Sequence, residues 1–182
     1  MVEVRDIAEP ECIIVTGMPG AGKSTVTEII AKSLPRAARL SGDEVSAMVR
    51  SGRVWALGSP RDEAERQIEL MLRNVAALAN NMTAAHFTTV LDVVLESRAE
   101  LATLTDALTC TWDLVVLAPG AEVCRDRNAT RNIGDRWDFT GYDRLDVKMR
   151  ESFSDNSHWI DTSNLTAEES AAYVLRRVRA AS

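Results

Sequence analysis

The chain is short of everything that marks a secreted or membrane protein. Its three cysteines, Cys12, Cys110 and Cys124, are odd in number and show no C-x-x-C spacing. That pattern excludes a disulfide framework and a zinc site and points to a reducing cytoplasm. No apolar run approaches the roughly 20 residues that span a bilayer. The opening, Met1 to Asp6, lacks the apolar stretch of a signal peptide. An excess of basic charge is missing as well. Lys and Arg number 21 against 27 Asp and Glu, for a net charge of −6. A dedicated nucleic-acid binder would carry a basic face, so that class is disfavoured. Internal repeats, low-complexity tracts and linkers are also absent. One domain over residues 1–182 is expected, long enough for a substantial core.

What the chain does carry is the stretch from Gly17 through Met18, Pro19, Gly20, Ala21, Gly22 and Lys23 to Ser24 and Thr25. It matches G-x-x-x-x-G-K-[ST], the phosphate-binding loop. The context agrees, with an apolar run before it (Ile13, Ile14, Val15) and helical spacing after it, from Val26 to Leu34. Glycines let successive backbone N–H groups curl inward onto a phosphate. The new helix adds its positive N-terminal end. Lys23 supplies a cation to the β- and γ-phosphates, Ser24 a hydroxyl for Mg²⁺, and Thr25 a partner for the α-phosphate. A glycine-rich turn before a helix does not by itself call for Lys followed by two hydroxyls.

Strands are expected at about 12–16, 37–40, 87–91, 112–118 and 158–160. Helices are expected at about 23–33, 45–50, 60–80, 97–108, 121–130, 143–153 and 166–180. Ser59 reads as an N-cap with Pro60 in the first turn, and Thr166 with Glu169 as a capping box. Residues 131–142 read as an irregular loop. Strands alternating with helices predict an α/β fold with a parallel sheet covered on both faces.

Three features fall past the carboxyl ends of strands, where an open α/β sheet places its site. Asp43 follows strand two. It can cap the next helix, or face the γ-phosphate, orient an acceptor hydroxyl and take its proton. Asp92 ends strand three after four β-formers, as a Walker B acid holding Mg²⁺ does. Arg125, Arg127, Arg131 and Arg136 run across a helix end and the irregular loop. A charge run is usually a solvated face, but a hinged arginine loop can close over ATP and neutralise the moving phosphoryl. Arg131 or Arg136 is the candidate for that role, and Arg127 could stack on adenine. Arg50, Arg53, Trp55 and Gln67 matter if their segment covers an acceptor. Otherwise they are ordinary surface.

Together these residues resemble the small P-loop kinases. The carriers are Gly17–Thr25, Asp43, Asp92, the arginines from Arg127 to Arg136, and Asp161-Thr162-Ser163 after strand five. Within that family the chain is most similar to the group containing chloramphenicol phosphotransferase and related antibiotic or metabolite kinases. The resemblance implies a three-layer P-loop NTPase fold with a five-stranded parallel sheet in the order 2-3-1-4-5 and an arginine-bearing lid at about 127–142. It implies that Asp43 is the base, that Thr162 and Ser163 lie beside adenine, and that a segment within about 44–80 covers the acceptor. ATP and Mg²⁺ are the implied cofactors, and a small-molecule hydroxyl compound the implied partner. Related chains often end strand three in two acids, and this one has Asp92 alone. Three other readings share the loop: a polynucleotide 5′-hydroxyl kinase, a sugar-nucleotide kinase, and a regulatory ATPase with no acceptor.

Overall fold

The computed structural model describes residues 11–131, 139–155 and 158–181. Arg136 and the hinge Asn132–Asp135 lie outside the described residues.

Strand β1 (Cys12–Thr16) is buried at every position. A parallel strand covered on both faces reads as such a continuous apolar run. It lies between β3 (Thr88–Asp92) and β4 (Trp112–Leu117), paired in parallel with both. Strand β2 (Ala37–Ser41) flanks β3, and the two-residue β5 (Trp159–Ile160) flanks β4. All pairings are parallel and the order is β2-β3-β1-β4-β5, as the resemblance implied. The register sets Asp92 beside Val15 of β1 and Ser41 of β2. The chain leaves β1 toward β2 and leaves β4 toward β5. Connections therefore diverge between β1 and β4, where a doubly wound sheet opens a crevice at its carboxyl edge.

Helix α1 (Lys23–Ser33) packs against β2, β3 and the C-terminal α7 (Ala167–Ala181). Helix α3 (Arg61–Ala84) packs against β2, β3, the short α2 (Gly42–Ser46) and α4 (Arg98–Thr105). Among the described residues, the remaining helices are α5 (Ala121–Ala129) and α6 (Tyr142–Ser152). The capping box holds: Glu169 N donates to Thr166 Oγ1 at 3.1 Å, and Thr166 N to Glu169 Oε2 at 2.8 Å.

Several expectations are corrected. Helix α2 begins at Gly42, not Val45, because Ser41 at the strand end caps it, its hydroxyl accepting from Glu44 N at 3.4 Å. Asp43 is thus in the first turn and free of capping duty. Helix α2 also stops at Ser46 instead of reaching Arg50. Ser59 does not cap α3. Pro60 holds that position, its carbonyl accepting from Ala64 N at 3.1 Å, and Asp62 and Glu63 favour the positive end instead. Helix α3 runs one further turn, to Ala84, because Ala79 and Thr83 continue its buried stripe.

Ile30 of α1 is fully buried against the sheet. Ile30→Ala should lower the unfolding free energy by about 2–5 kcal/mol, read by urea denaturation. Ile30→Val should lower it by about 0.5–1.5 kcal/mol.

Candidate active site

The phosphate-binding loop is wedged against its neighbours. Gly17 has φ 149°, and a Cβ there would stand 2.6 Å from the Leu117 carbonyl oxygen at the end of β4. Gly20, at φ 84°, lies against the backbone of Cys124 in α5. Only glycine tolerates both the positive φ and the close approach. Ala21 N donates to Met18 O at 3.0 Å, closing the turn. Gly22 stands at the N-cap of α1 without a side-chain cap, and the first turn carries no acid. The orphan N–H groups there are available to an anion.

Lys23 is buried, and its ammonium donates to the carbonyls of Gly17 at 2.9 Å and Met18 at 3.1 Å. Burial pulls its pKa below the ordinary lysine value, opposed by the nearby carboxylates of Asp92 and Asp43. Thr27, one turn on, donates its hydroxyl to Lys23 O at 2.8 Å.

One cavity opens over this loop. From the loop it is lined by Pro19, Gly20, Gly22, Lys23, Ser24 and Thr25. Asp43 of α2 and Asp92 of β3 face it from the strand ends, with Arg131 beyond α5. Its far side is the segment 53–57 and the α3 residues Ala64, Gln67, Ile68 and Met71. Asp43 is exposed, yet the protein packed around it disfavours its charged form. This desolvation pushes its carboxyl above the ordinary range, with Lys23 pulling it back and Asp92 adding to the rise.

The structure therefore brings together Lys23, Ser24, Thr25, Asp43, Asp92 and Arg131, with Arg53, Trp55 and Gln67 on the same cavity. Gly17 and Ala21 are buried within the loop and do not line the cavity. Arg50 is exposed and does not line the cavity. Arg127, Thr162 and Ser163 do not line the cavity. Arg127 reaches Ala21 O at 3.4 Å and Thr162 O at 3.5 Å, both long for hydrogen bonds. Thr162 is buried, its hydroxyl without a hydrogen-bond partner among the described residues. Ser163 donates from its N and hydroxyl to Asp161 Oδ1.

Sequence reasoning missed Arg39. It sits in β2, and its guanidinium donates to three groups on three other elements. These are Thr27 Oγ1 of α1 at 3.0 Å, Glu44 Oε1 of α2 at 3.0 Å and Asp92 Oδ2 of β3 at 2.8 Å. Arg39 is 17% exposed and Asp92 6%. One Asp92 oxygen is thus committed to Arg39. The signal was available: a lone arginine inside a short apolar strand needs a buried partner.

A profile of the AAA domain family AAA_33 matches residues 12–152, more than half of the chain. The chain belongs to that family. The matched span holds every cavity-lining residue named above. No curated protein matches this AAA_33 chain in sequence. Solved structures do match it in fold. A sugar kinase from Janibacter sp. HTCC2649 shares 17% identity over 92% of this chain and 94% of its own, with a TM-score of 0.68. The Deinococcus radiodurans tunicamycin resistance protein shares 16% over 94% and 96%, with a TM-score of 0.65. The Mycobacterium tuberculosis APS kinase, in complex with AMPPNP and APS, shares 17% over 94% and 98%, with a TM-score of 0.68. The resemblance to small P-loop kinases thus holds at the level of family and fold. Among the described residues, no helix is long and apolar enough to cross a membrane.

Arg39→Met should lower the unfolding free energy by about 2–4 kcal/mol, because it strands a buried carboxylate. Adding Asp92→Asn should recover part of that loss. A double-mutant cycle by urea denaturation checks this, and a coupling below about 0.5 kcal/mol would contradict it.

Proposed function

We propose that the chain is an ATP- and Mg²⁺-dependent phosphotransferase acting on a hydroxyl of a small molecule. One observation carries the reading: a single cavity joins the phosphate loop's Lys23 and Ser24 to the carboxylate of Asp43, with room beyond it toward α3. A regulatory ATPase has no use for an acid and an adjoining compartment there. The similar folds include kinases of small metabolites and a tunicamycin resistance protein, so antibiotics belong in the screen of acceptors.

The chemistry is positioning and electrostatics. The loop N–H groups and Lys23 hold the triphosphate, Lys23 exchanging its carbonyl partners for phosphate oxygens. Asp43 accepts the proton of the acceptor hydroxyl as its oxygen bonds to the γ-phosphorus. The bridging P–O bond breaks, and ADP leaves with that electron pair. Arg131 faces the same space and can neutralise charge on the transferred group. Arg127 and Thr162 flank the loop on the side proposed for adenine, with Ser163 next in the chain. Among the described residues there is no cluster of three or more metal-ligating side chains. That fits a Mg²⁺ carried mainly by phosphates, which keeps several waters and takes few protein ligands. Ser24 and Asp92 would hold it, and it would offset phosphate charge.

Asp43→Ala should lower phosphate transfer by about 10²–10⁴-fold while ATP affinity stays near native. Transfer at the native rate would remove Asp43 as the base. Because its carboxyl is raised, the acid limb of kcat/KM should lie above about pH 4, the ordinary Asp value. Rate is lost as pH falls through the raised pKa, and Asp43→Asn should abolish that limb.

The stability sign is opposite. A carboxyl with a raised folded-state pKa ionises more readily when unfolded. It therefore opposes folding at neutral pH, and the penalty vanishes below the unfolded pKa. Asp43→Asn should raise the melting temperature at pH 7 and leave it unchanged near pH 3.

A further inference from the structure

We propose that Cys110 and Cys12 form a peroxide-reactive thiol pair, in which Cys110 takes the oxidant and Cys12 closes a reversible disulfide onto it. The pair is independent of the proposed phosphate transfer. It lies where β1 and β4 begin, at the amino edge of the sheet, and neither thiol lines the cavity at the carboxyl edge.

The pairing is fixed by contacts on both flanks. Residues 106–111 carry the chain from α4 to β4. Asn80 of α3 holds this connection from one side, donating to Ala107 O at 2.8 Å and accepting from Thr109 N at 2.9 Å. The start of β1 holds it from the other. Glu11 N donates to Thr111 Oγ1 and Thr111 N to Glu11 Oε2, both at 3.1 Å, and Cys12 N donates to Thr111 O at 3.0 Å. Cys110 stands between these two clamps, and its sulfur accepts a hydrogen bond from the Cys12 thiol. Two sulfurs far apart in sequence are thus in contact, which is the arrangement a disulfide needs.

The two thiols are unequal. Cys12 is fully buried and Cys110 is partly exposed, so an oxidant in solution meets Cys110. The hydrogen bond from Cys12 also lowers Cys110 to about 7, against the effect of burial, and the Thr83 hydroxyl adds to the lowering. More thiolate at neutral pH means faster attack on peroxide. The same bond, together with burial, pushes Cys12 up, so Cys12 keeps its proton until the second step. Cys124 is an internal comparison: it is buried and pushed up to about 11 by that burial.

The steps balance. The Cys110 thiolate attacks one peroxide oxygen. The O–O bond breaks, and hydroxide leaves with the electron pair and takes a proton from solvent. The Cys12 sulfur then bonds to the Cys110 sulfur, and its proton leaves with the sulfenic hydroxyl as a second water. Two thiols are oxidised and one peroxide is reduced to two waters. A small thiol such as glutathione reverses the bond by exchange, so it is no part of a permanent disulfide framework.

The test treats the folded, full-length chain with hydrogen peroxide, blocks free thiols with N-ethylmaleimide and maps peptides by mass spectrometry without reduction. A disulfide joining Cys12 to Cys110 is expected, and dithiothreitol should remove it. Cys124 should be modified at least about tenfold more slowly than Cys110. In Cys12→Ala, dimedone should trap Cys110 as the sulfenic acid, and in Cys110→Ser, Cys12 should stay reduced. Unfolding in urea should abolish the preference for the pair over linkages to Cys124. Three thiols that all stay reduced in the folded chain would overturn the proposal. So would Cys124 oxidising as fast as Cys110, or Cys110 linking only to a second copy of the chain. The peptide map of the unsubstituted chain decides the question whether or not the variants fold.

Discussion

The structure depends on the close seating of the phosphate loop against the end of β4 and the backbone of α5. Gly17 and Gly20 have no room for a Cβ, so only glycine lets the loop approach β4 and α5 this closely. That seating requires β1 to lie between β3 and β4, which is the arrangement seen. The sheet order, the crevice and the anion site are one geometric fact. The diverging connections leave the crevice, and the loop closes its floor.

Charge in that crevice is balanced over several elements. Burial lowers Lys23 and raises Asp43, and the attraction between the two opposes both shifts. Arg39 stands behind them and ties Asp92 to α1 and α2. A buried carboxylate is costly unless a hydrogen-bonding cation stands beside it. Arg39 provides it without lining the cavity, so α1, α2, β2 and β3 keep a common geometry around the proposed transfer.

The segment between α2 and α3 differs from the rest of the site in how it is held. It has no regular structure, and side chains of α3 pin it through Gln67 and Arg61. Two residues proposed from the sequence as acceptor contacts separate here. Gln67 spends its amide on the segment itself and on Glu63, whereas Trp55 lines the cavity and is half-exposed. Arg50 lies off the cavity because α2 ends at Ser46 and the chain turns away before it reaches position 50.

Elements with a local cause were legible in the sequence. The strand, loop and helix of residues 12–33 follow from an apolar run, glycines where backbone must bend, and helical spacing. The Thr166–Glu169 cap is likewise a pattern four residues long. Asp43 and Asp92 could be named because strand ends in an open sheet share one edge. Helix boundaries slipped where two signals competed, as when Ser41 rather than Asp43 took the cap of α2. What required tertiary structure was every relation between distant residues. Arg39 meets Asp92 across 53 positions, and no local pattern encodes that contact. Which polar side chains remain open to a guest is likewise a matter of partners supplied by other elements. The sequence by itself determined which loop carries the phosphate-binding pattern, since that pattern lies in nine consecutive residues. Only the fold decided what shares the cavity with it, because burial and pairing are properties of packed surfaces.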